Sequence, residues 1–249
     1  MSERLKRKSL AAVRVVQAVW HVLMGAWEVW RDFGPLDPNQ RMHRAHLWAQ
    51  RFFKRLHLEL QVEGLPHAAP TLWVANHISW LDILVLLAAA PCRLVSKSDV
   101  KAWPVIGHLA DSAGTLFIER RQRRDAMRVV HDMAAALTDG QVLAVFPEGT
   151  TSNGEALLPF HANLLQSAIH AQVPVQPVAI TYWDLEHQKR SLAPAYVGDD
   201  TLVTSLWRCM QLPRLGVKVR FLPPETQQGR DRRAWSVDLH QRLAQALAH

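Results

Sequence analysis

His77 and Asp82 stand five positions apart in the run Asn76-His77-Ile78-Ser79-Trp80-Leu81-Asp82. An imidazole held by a carboxylate can take a proton from a hydroxyl. The carboxylate on one ring nitrogen fixes the tautomer, and the other nitrogen accepts the proton. On one continuous helix, residues five apart point about 140° away from each other, so the pair cannot meet there. It can meet if His77 sits in a strand-to-helix turn and Asp82 in the first helical turn. A plainer reading uses the same residues. Ser79 is a good N-cap and Asp82, three positions on, completes a capping box, which leaves His77 an ordinary turn histidine. Metal catalysis has little support, because no further ligands stand at a recognised zinc spacing around this pair.

Three further segments carry polar chemistry at the ends of apolar runs. Gly114-Thr115-Leu116-Phe117-Ile118-Glu119-Arg120 is a strand that ends in an arginine. Phe146-Pro147-Glu148-Gly149-Thr150-Thr151-Ser152 is a strand end followed by a polar, glycine-containing loop. Val173-Pro174-Val175-Gln176-Pro177-Val178 leads into another strand. Ligands of open α/β sheets gather at strand C-termini, so one crevice could hold His77, Arg120 and Glu148. Each segment also has an ordinary reading. Arg120 belongs to a basic run with Arg121, Arg123 and Arg124, Glu148-Gly149 can be a simple turn, and the Val-Pro pair can be an edge-strand entry.

The elements that must position these groups begin at residue 58. Apolar runs predict strands at 58–62, 72–75, 92–95, 115–118, 142–146, 175–180 and 217–222. Helical patterns cover 79–90, 101–110, 123–138 and 162–171, and a last helix covers 232–248. That order predicts an α/β fold, a largely parallel mixed sheet covered by helices. The two cysteines, Cys92 and Cys209, sit in apolar surroundings and read as small core residues in a reducing compartment.

Residues 1–57 have a different character. They hold 11 Lys/Arg against 4 Asp/Glu, whereas the remaining 192 residues hold 18 of each, so the whole net charge of +7 lies here. No zinc pattern or RNA-binding sheet signature accompanies it, so no nucleic-acid partner is expected. Residues 10–30 are apolar and long enough to cross a bilayer, without the small-residue cleavage site of a secretory signal. Arg14, Gln17, His21, Gly25 and Glu28 nevertheless form one helical stripe, and Val16, Trp20, Leu23, Trp27 and Trp30 form another. That predicts an amphipathic helix lying in a membrane interface. A second helix over 39–57 carries an apolar stripe (Ala45, Trp48, Ala49, Phe52, Phe53, Leu56) with Arg41, Arg44, Arg51, Lys54 and Arg55 around it. The expectation is a membrane-associating two-helix element, 1–57, ahead of a catalytic domain, 58–249. It would bind anionic lipid at the cytoplasmic face of the inner membrane, as a peripheral or monotopic protein. The plainer alternative is two helices docked on the core with a solvated basic face.

Taken together and in order, the blocks at 76–82, 114–120, 146–150 and 173–177 resemble the glycerolipid acyltransferase family, typified by bacterial 1-acyl-sn-glycerol-3-phosphate acyltransferases. The resemblance covers roughly residues 58–222 and includes Ser96-Lys97 followed by Trp103-Pro104-Val105-Ile106-Gly107. It implies an O-acyltransferase without a bound cofactor. His77 would be the general base and Asp82 its orienting partner. A lysolipid hydroxyl would attack the thioester of acyl-CoA or acyl-carrier protein. No Gly-x-Ser-x-Gly elbow suggests a covalent acyl-enzyme. By the same resemblance Arg120 would pair with the acceptor's anionic headgroup. Glu148, Gly149 and Thr150 would shape the acceptor pocket, and Lys97 would add positive charge. Two departures bear on the acceptor. Thr151 follows Phe-Pro-Glu-Gly-Thr where many members carry Arg, and Phe160-His161-Ala162 stands where many carry Phe-Lys. The first-choice acceptor is 1-acyl-sn-glycerol-3-phosphate, giving phosphatidic acid. The alternative is lyso-ornithine lipid. A thioester hydrolase and a non-catalytic membrane-binding protein are more distant readings, and intact His77 and Asp82 count against the latter.

Overall fold

The computed structural model describes residues 3–67, 70–118 and 123–248. Two helices, α1 (Glu3–Asp32) and α2 (Pro38–Leu56), precede β1 (Glu59–Glu63), β2 (Thr71–Ala75), α3 (Leu81–Ala89) and β3 (Arg93–Lys97). Then follow α4 (Ile106–Ser112), β4 (Leu116–Ile118), α5 (Arg123–Thr138), β5 (Val142–Val145), α6 (Leu165–Ala171) and β6 (Val175–Asp184). The chain closes with β7 (Lys189–Arg190), α7 (Leu202–Met210), β8 (Leu215–Phe221) and α8 (Arg232–Ala248).

The eight strands among the described residues form one sheet in the order β1-β8-β6-β2-β5-β3-β4, with β7 on β6. Strands β6, β2, β5, β3 and β4 run parallel, β8 is antiparallel to β6, and β1 is parallel to β8. This is the mixed, largely parallel sheet that the alternation of apolar runs and helices predicts. Every residue of β2 and β5 is buried, as expected of central strands covered on both faces. Trp73, Ala75, Ala144 and Ile180 pack on one face with Phe52, Leu81 and Val85. Leu72, Val74, Leu143 and Val145 pack on the other with Met133, Leu165 and Trp235. Cys92 and Cys209 are free and buried.

The N-terminal helices are fastened to this core in an unexpected sense. The apolar stripe of α2 (Ala45, Ala49, Phe52, Phe53, Leu56) is buried in the same cluster as Trp73, so it is not available to a membrane. The two stripes of α1 are both present, but the polar one faces inward. Arg14 is buried and donates to the carbonyls of Leu212 (2.7 Å) and Pro213 (2.9 Å) just beyond α7. His21 Nε2 lies 3.1 Å from the Trp48 carbonyl, and Glu28 pairs with Arg51 at 2.7 Å. Ala11, Ala18 and Gly25 recur every seven residues on that face, and a Cβ on Gly25 would lie 2.3 Å from Trp48 Nε1. Small residues thus let the helix approach closely, and its polar groups find partners in the protein. Val16, Trp20, Leu23, Trp27 and Trp30 are left exposed, Trp30 by 79%. By length and composition alone Arg7–Asp32 could cross a membrane.

Other departures from the sequence expectation are local. The helix expected over 101–110 is broken into a 3₁₀ turn (Ser98–Ala102) and α4. Trp103-Pro104 interrupts it, and Val105 takes a positive φ of 62°. The helix expected over 162–171 likewise opens with a 3₁₀ turn (Ala162–Leu164). Strand β6 runs to Asp184, four residues beyond its expected end.

Candidate active site

The β2–α3 turn brings His77 and Asp82 together. Asn76 begins it. Its amide donates to the Ile180 carbonyl (3.0 Å) and accepts from the Ile180 N–H (2.7 Å). A side chain thus takes over the β2–β6 ladder as the main chain leaves the sheet. His77 follows, and α3 starts at Leu81. His77 Nδ1 lies 2.9 Å from Asp82 Oδ2. The same oxygen accepts from the backbone N–H groups of Ile78 (2.6 Å) and Ser79 (2.8 Å). Each reading of the sequence is met in part, because the imidazole–carboxylate pair forms but Ser79 is not the N-cap. Asp82 closes the helix start and holds the imidazole with the same carboxylate. Ser79 Oγ accepts from Leu81 N–H at 3.2 Å, while Trp80 occupies the N-cap position without a side-chain cap bond.

The bond to a carboxylate places the proton on Nδ1. Nε2 has no hydrogen-bond partner among the described residues and is left as an acceptor. Asp82 is fully buried, whereas the His77 side chain keeps 17% of its surface exposed. The imidazole stacks on Phe146, with ring centroids 3.9 Å apart and planes 13° from parallel. One edge of the ring is thus tied down, one face is covered, and the remaining nitrogen is open.

The loop after β5 is laced to this turn. Glu148 is buried, and its two oxygens accept from His77 N–H (2.7 Å) and Leu158 N–H (2.8 Å). Burial pushes the Glu148 carboxyl above the ordinary carboxylate range, although both N–H bonds and the nearby His77 oppose this. Ser152 N–H donates to the His77 carbonyl at 2.8 Å. Gly149 turns the loop with φ 70°. The segment 191–200 closes over both. Tyr196 N–H donates to the Ile78 carbonyl (2.9 Å), and Thr151 Oγ1 donates to the Tyr196 carbonyl.

A family model described as Acyltransferase matches residues 58–181. The lyso-ornithine lipid O-acyltransferase of Pseudomonas aeruginosa is 43% identical over 216 residues, which cover 87% of this chain and 81% of that one. The chain belongs to the acyltransferase family. The 1-acyl-sn-glycerol-3-phosphate acyltransferase of Neisseria gonorrhoeae is 42% identical over 165 residues, 66% of this chain and 64% of its own length. Among solved structures, the 1-acyl-sn-glycerophosphate acyltransferase PlsC of Thermotoga maritima matches with a TM-score of 0.68 over 98% of both chains. At 23% identity that likeness speaks for the fold.

The remaining candidate residues of this acyltransferase are placed unequally. Lys97 is exposed at the end of β3, in register with Ile118 at the end of β4. Arg120 lies two positions beyond Ile118, outside the described residues. Thr150 is exposed beside Gly149. Thr151 and His161 fill the positions of the two missing cations. The Thr151 hydroxyl is used by the Tyr196 carbonyl, and His161 N–H donates to the Pro147 carbonyl at 2.8 Å. Asn76, Phe146 and Tyr182 also build the site and were not singled out from the sequence. The Asn-His pair at the end of an apolar run was a signal for the first. The second is the aromatic that opens the Phe-Pro-Glu-Gly-Thr block.

Glu148 acts here through backbone, since both of its oxygens hold N–H groups of two different loops. Glu148→Gln replaces one acceptor by an amide that points donors at a donor. We expect a loss of about 1–3 kcal/mol of stability, read by thermal unfolding. Acyl transfer should fall with it, because the His77 turn is one of the two segments released. Unchanged unfolding and turnover would show that the carboxylate does not hold the loops.

Proposed function

We propose that this acyltransferase moves a fatty acyl group from an acyl thioester, acyl-CoA or acyl-carrier protein, to the free hydroxyl of a lysolipid, with His77 as general base. The observation that carries the reading is the His77 ring itself, held by buried Asp82 through Nδ1 with Nε2 open. The acceptor hydroxyl gives its proton to Nε2 as its oxygen bonds to the thioester carbonyl carbon. The carbon–sulfur bond then breaks, and the leaving thiolate recovers that proton from His77. The ionised Asp82 favours the imidazolium that exists between the two transfers. No covalent acyl-enzyme and no cofactor enter the step. Glu148, Gly149 and Thr150 form the wall beside the base, Lys97 adds positive charge, and Arg120 pairs with the acceptor's anionic group.

Two acceptors suit this chemistry. The motif set favours 1-acyl-sn-glycerol-3-phosphate. The neutral Thr151, with its hydroxyl already engaged, and His161 in place of a lysine favour lyso-ornithine lipid, whose headgroup is zwitterionic and asks for fewer cations. The relative matched over 81% of its length carries that activity in its name. Purified protein should be offered both lysolipids with labelled acyl-CoA and acyl-carrier protein, and the products identified. Acylation of neither acceptor, with release of free fatty acid instead, would replace the proposal by thioester hydrolysis. On whichever acceptor is used, Arg120→Ala should raise the Michaelis constant for the lysolipid by about 10- to 150-fold, the value of one charge-assisted bond, and leave that for the donor nearly unchanged. A defect confined to the donor would move Arg120 to the other substrate.

The reaction's lipid substrate suits a protein seated on a membrane. In this proposal the outward face of α1 enters the interface and the exposed basic residues Arg44, Lys54 and Arg55 of α2 meet anionic headgroups on the cytoplasmic side. In this reading the helix lies along the bilayer surface, an orientation supported by the buried positions of its inner face from Ala11 to Val29.

A further inference from the structure

We infer that Tyr182 is a positioning residue for the His77–Asp82 pair, its hydroxyl setting how strongly the carboxylate holds the imidazole. The inference rests on the general-base reading of His77 given above.

Four observations carry it. First, strand β6 outruns its neighbour. Its parallel pairing with β2 ends at Val178 opposite Ala75, yet the strand continues to Asp184 along β8. That extension carries Tyr182 beyond the end of β2, to the level of the first turn of α3. Second, the Tyr182 hydroxyl donates to Asp82 Oδ1 at 2.5 Å across 100 residues of sequence. Third, the donors on Asp82 are divided unevenly. Oδ2 receives His77 Nδ1, Ile78 N–H and Ser79 N–H, whereas Oδ1 receives Tyr182 alone among the described residues. Fourth, the ring of Tyr182 is 2% exposed and packed in the main core cluster, so the hydroxyl cannot swing to water. Burial, and then the Asp82 charge, raise the phenol well above its ordinary range, which keeps the donor protonated at any pH where the protein works.

The chemistry follows from the geometry. A phenol donor on a carboxylate draws charge from it and makes it a weaker base. The weaker the carboxylate as a base, the less it favours the imidazolium and the more readily Nε2 is found unprotonated. Without the hydroxyl, Asp82 becomes the stronger acceptor. The imidazolium is then favoured further, and base-competent histidine appears only at higher pH. A buried carboxylate oxygen also loses its donor.

Tyr182→Phe removes the hydroxyl and little else. We expect kcat measured on the acid limb to fall by about 3-fold or more, the loss that an upward shift of about half a unit produces at fixed pH, with kcat on the alkaline plateau and both Michaelis constants near their wild-type values. The acid limb of the kcat/KM profile should move upward by about half a unit or more. The pH midpoint of the His77 ring ¹⁵N signals should move with it. In an Asp82→Asn background, where no carboxylate remains to tune, Tyr182→Phe should add no further pH shift. A purely structural tyrosine gives a lowered melting temperature with no movement of limb or midpoint, and that result overturns the inference. An equal pH shift in the Asp82→Asn background overturns it too. Failure of the general-base reading looks different. His77→Ala then retains turnover, while the ¹⁵N midpoint still reports whether Tyr182 tunes the pair.

Discussion

Replacing His77 by alanine is expected to reduce acyl transfer by about 10²- to 10⁴-fold, the range for removal of a general base, while the circular dichroism spectrum stays that of the native protein. The fold survives because what ties the turn together is mostly backbone and Asp82. Ile78 N–H, Ser79 N–H and Tyr182 still hold the carboxylate when the imidazole is gone. The stacking on Phe146 is lost, but the ring is partly exposed and leaves no closed cavity. Asp82→Asn should cost less than His77→Ala and still be severe. An amide can accept from the ring nitrogen, but it brings no charge to favour the imidazolium. A second histidine provides the control. His187 Nδ1 also meets a carboxylate, Asp184 at 2.7 Å, but in the turn after β6 with about half its surface exposed. His187→Ala should leave turnover near that of the wild type. Wild-type rates in a folded His77→Ala variant would dispose of the mechanism.

The turn that joins His77 to Asp82 was legible because its constraint is geometric. Five residues cannot bring two side chains together on one helix, so His77 and Asp82 could meet only if the helix began between them, and α3 begins at Leu81. Strands β2 and β5 were legible because every one of their residues is buried. Helices α5 and α8 begin and end where expected, and α5 carries a clear amphipathic pattern. What escaped depends on long-range geometry or on weak local signals. Helix α7 is short, rich in β-branched and hydroxyl residues, and capped by a Thr201–Thr204 pair that lacks the usual Glu or Gln. The break at Val105 needs a positive φ that no β-branched residue advertises. Tyr182 reaches Asp82 only because β6 is longer than its apolar run suggests. Nothing near position 182 marks a tyrosine as belonging to a motif one hundred residues earlier.

The orientation of α1 shows a different limit. Periodicity says that a helix has two faces, and it does not say which face the protein takes. The expectation placed the apolar stripe in a membrane interface and named no partner for the polar stripe. In the fold it is the docking side, because Arg14 finds the carbonyls beyond α7 and His21 finds Trp48. A usable signal was present in the small residues Ala11, Ala18 and Gly25, whose spacing of seven permits close helix approach. Read that way, the apolar stripe had to face outward.

That outward face should therefore hold the protein on lipid. Replacing Trp20, Leu23, Trp27 and Trp30 together by serine is expected to weaken binding to phosphatidylglycerol–phosphatidylcholine vesicles by about 10³-fold, measured by co-sedimentation. Each of these side chains is between 44% and 79% exposed, so each can bury about half or more of its surface in lipid. At about 1 kcal/mol each, the four amount to roughly 4 kcal/mol. Serine adds no charge, and none of the four belongs to the core clusters, so the melting temperature should hardly change. The basic residues of α2 contribute separately. Reversing Arg44, Lys54 and Arg55 to glutamate, with Arg51 left in its pair with Glu28, should remove about 1 kcal/mol per residue on an anionic surface and little on a neutral one. Rising salt should imitate that reversal without imitating the serine variant, since screening acts on charge and leaves apolar burial alone. Sedimentation of the serine variant at wild-type levels would show that the tryptophans face water in use as well. A wild type that resists both high salt and alkaline extraction would mean that α1 leaves its seat against α2 and α7 and crosses the bilayer, at the cost of the Arg14 and His21 bonds that fasten it there.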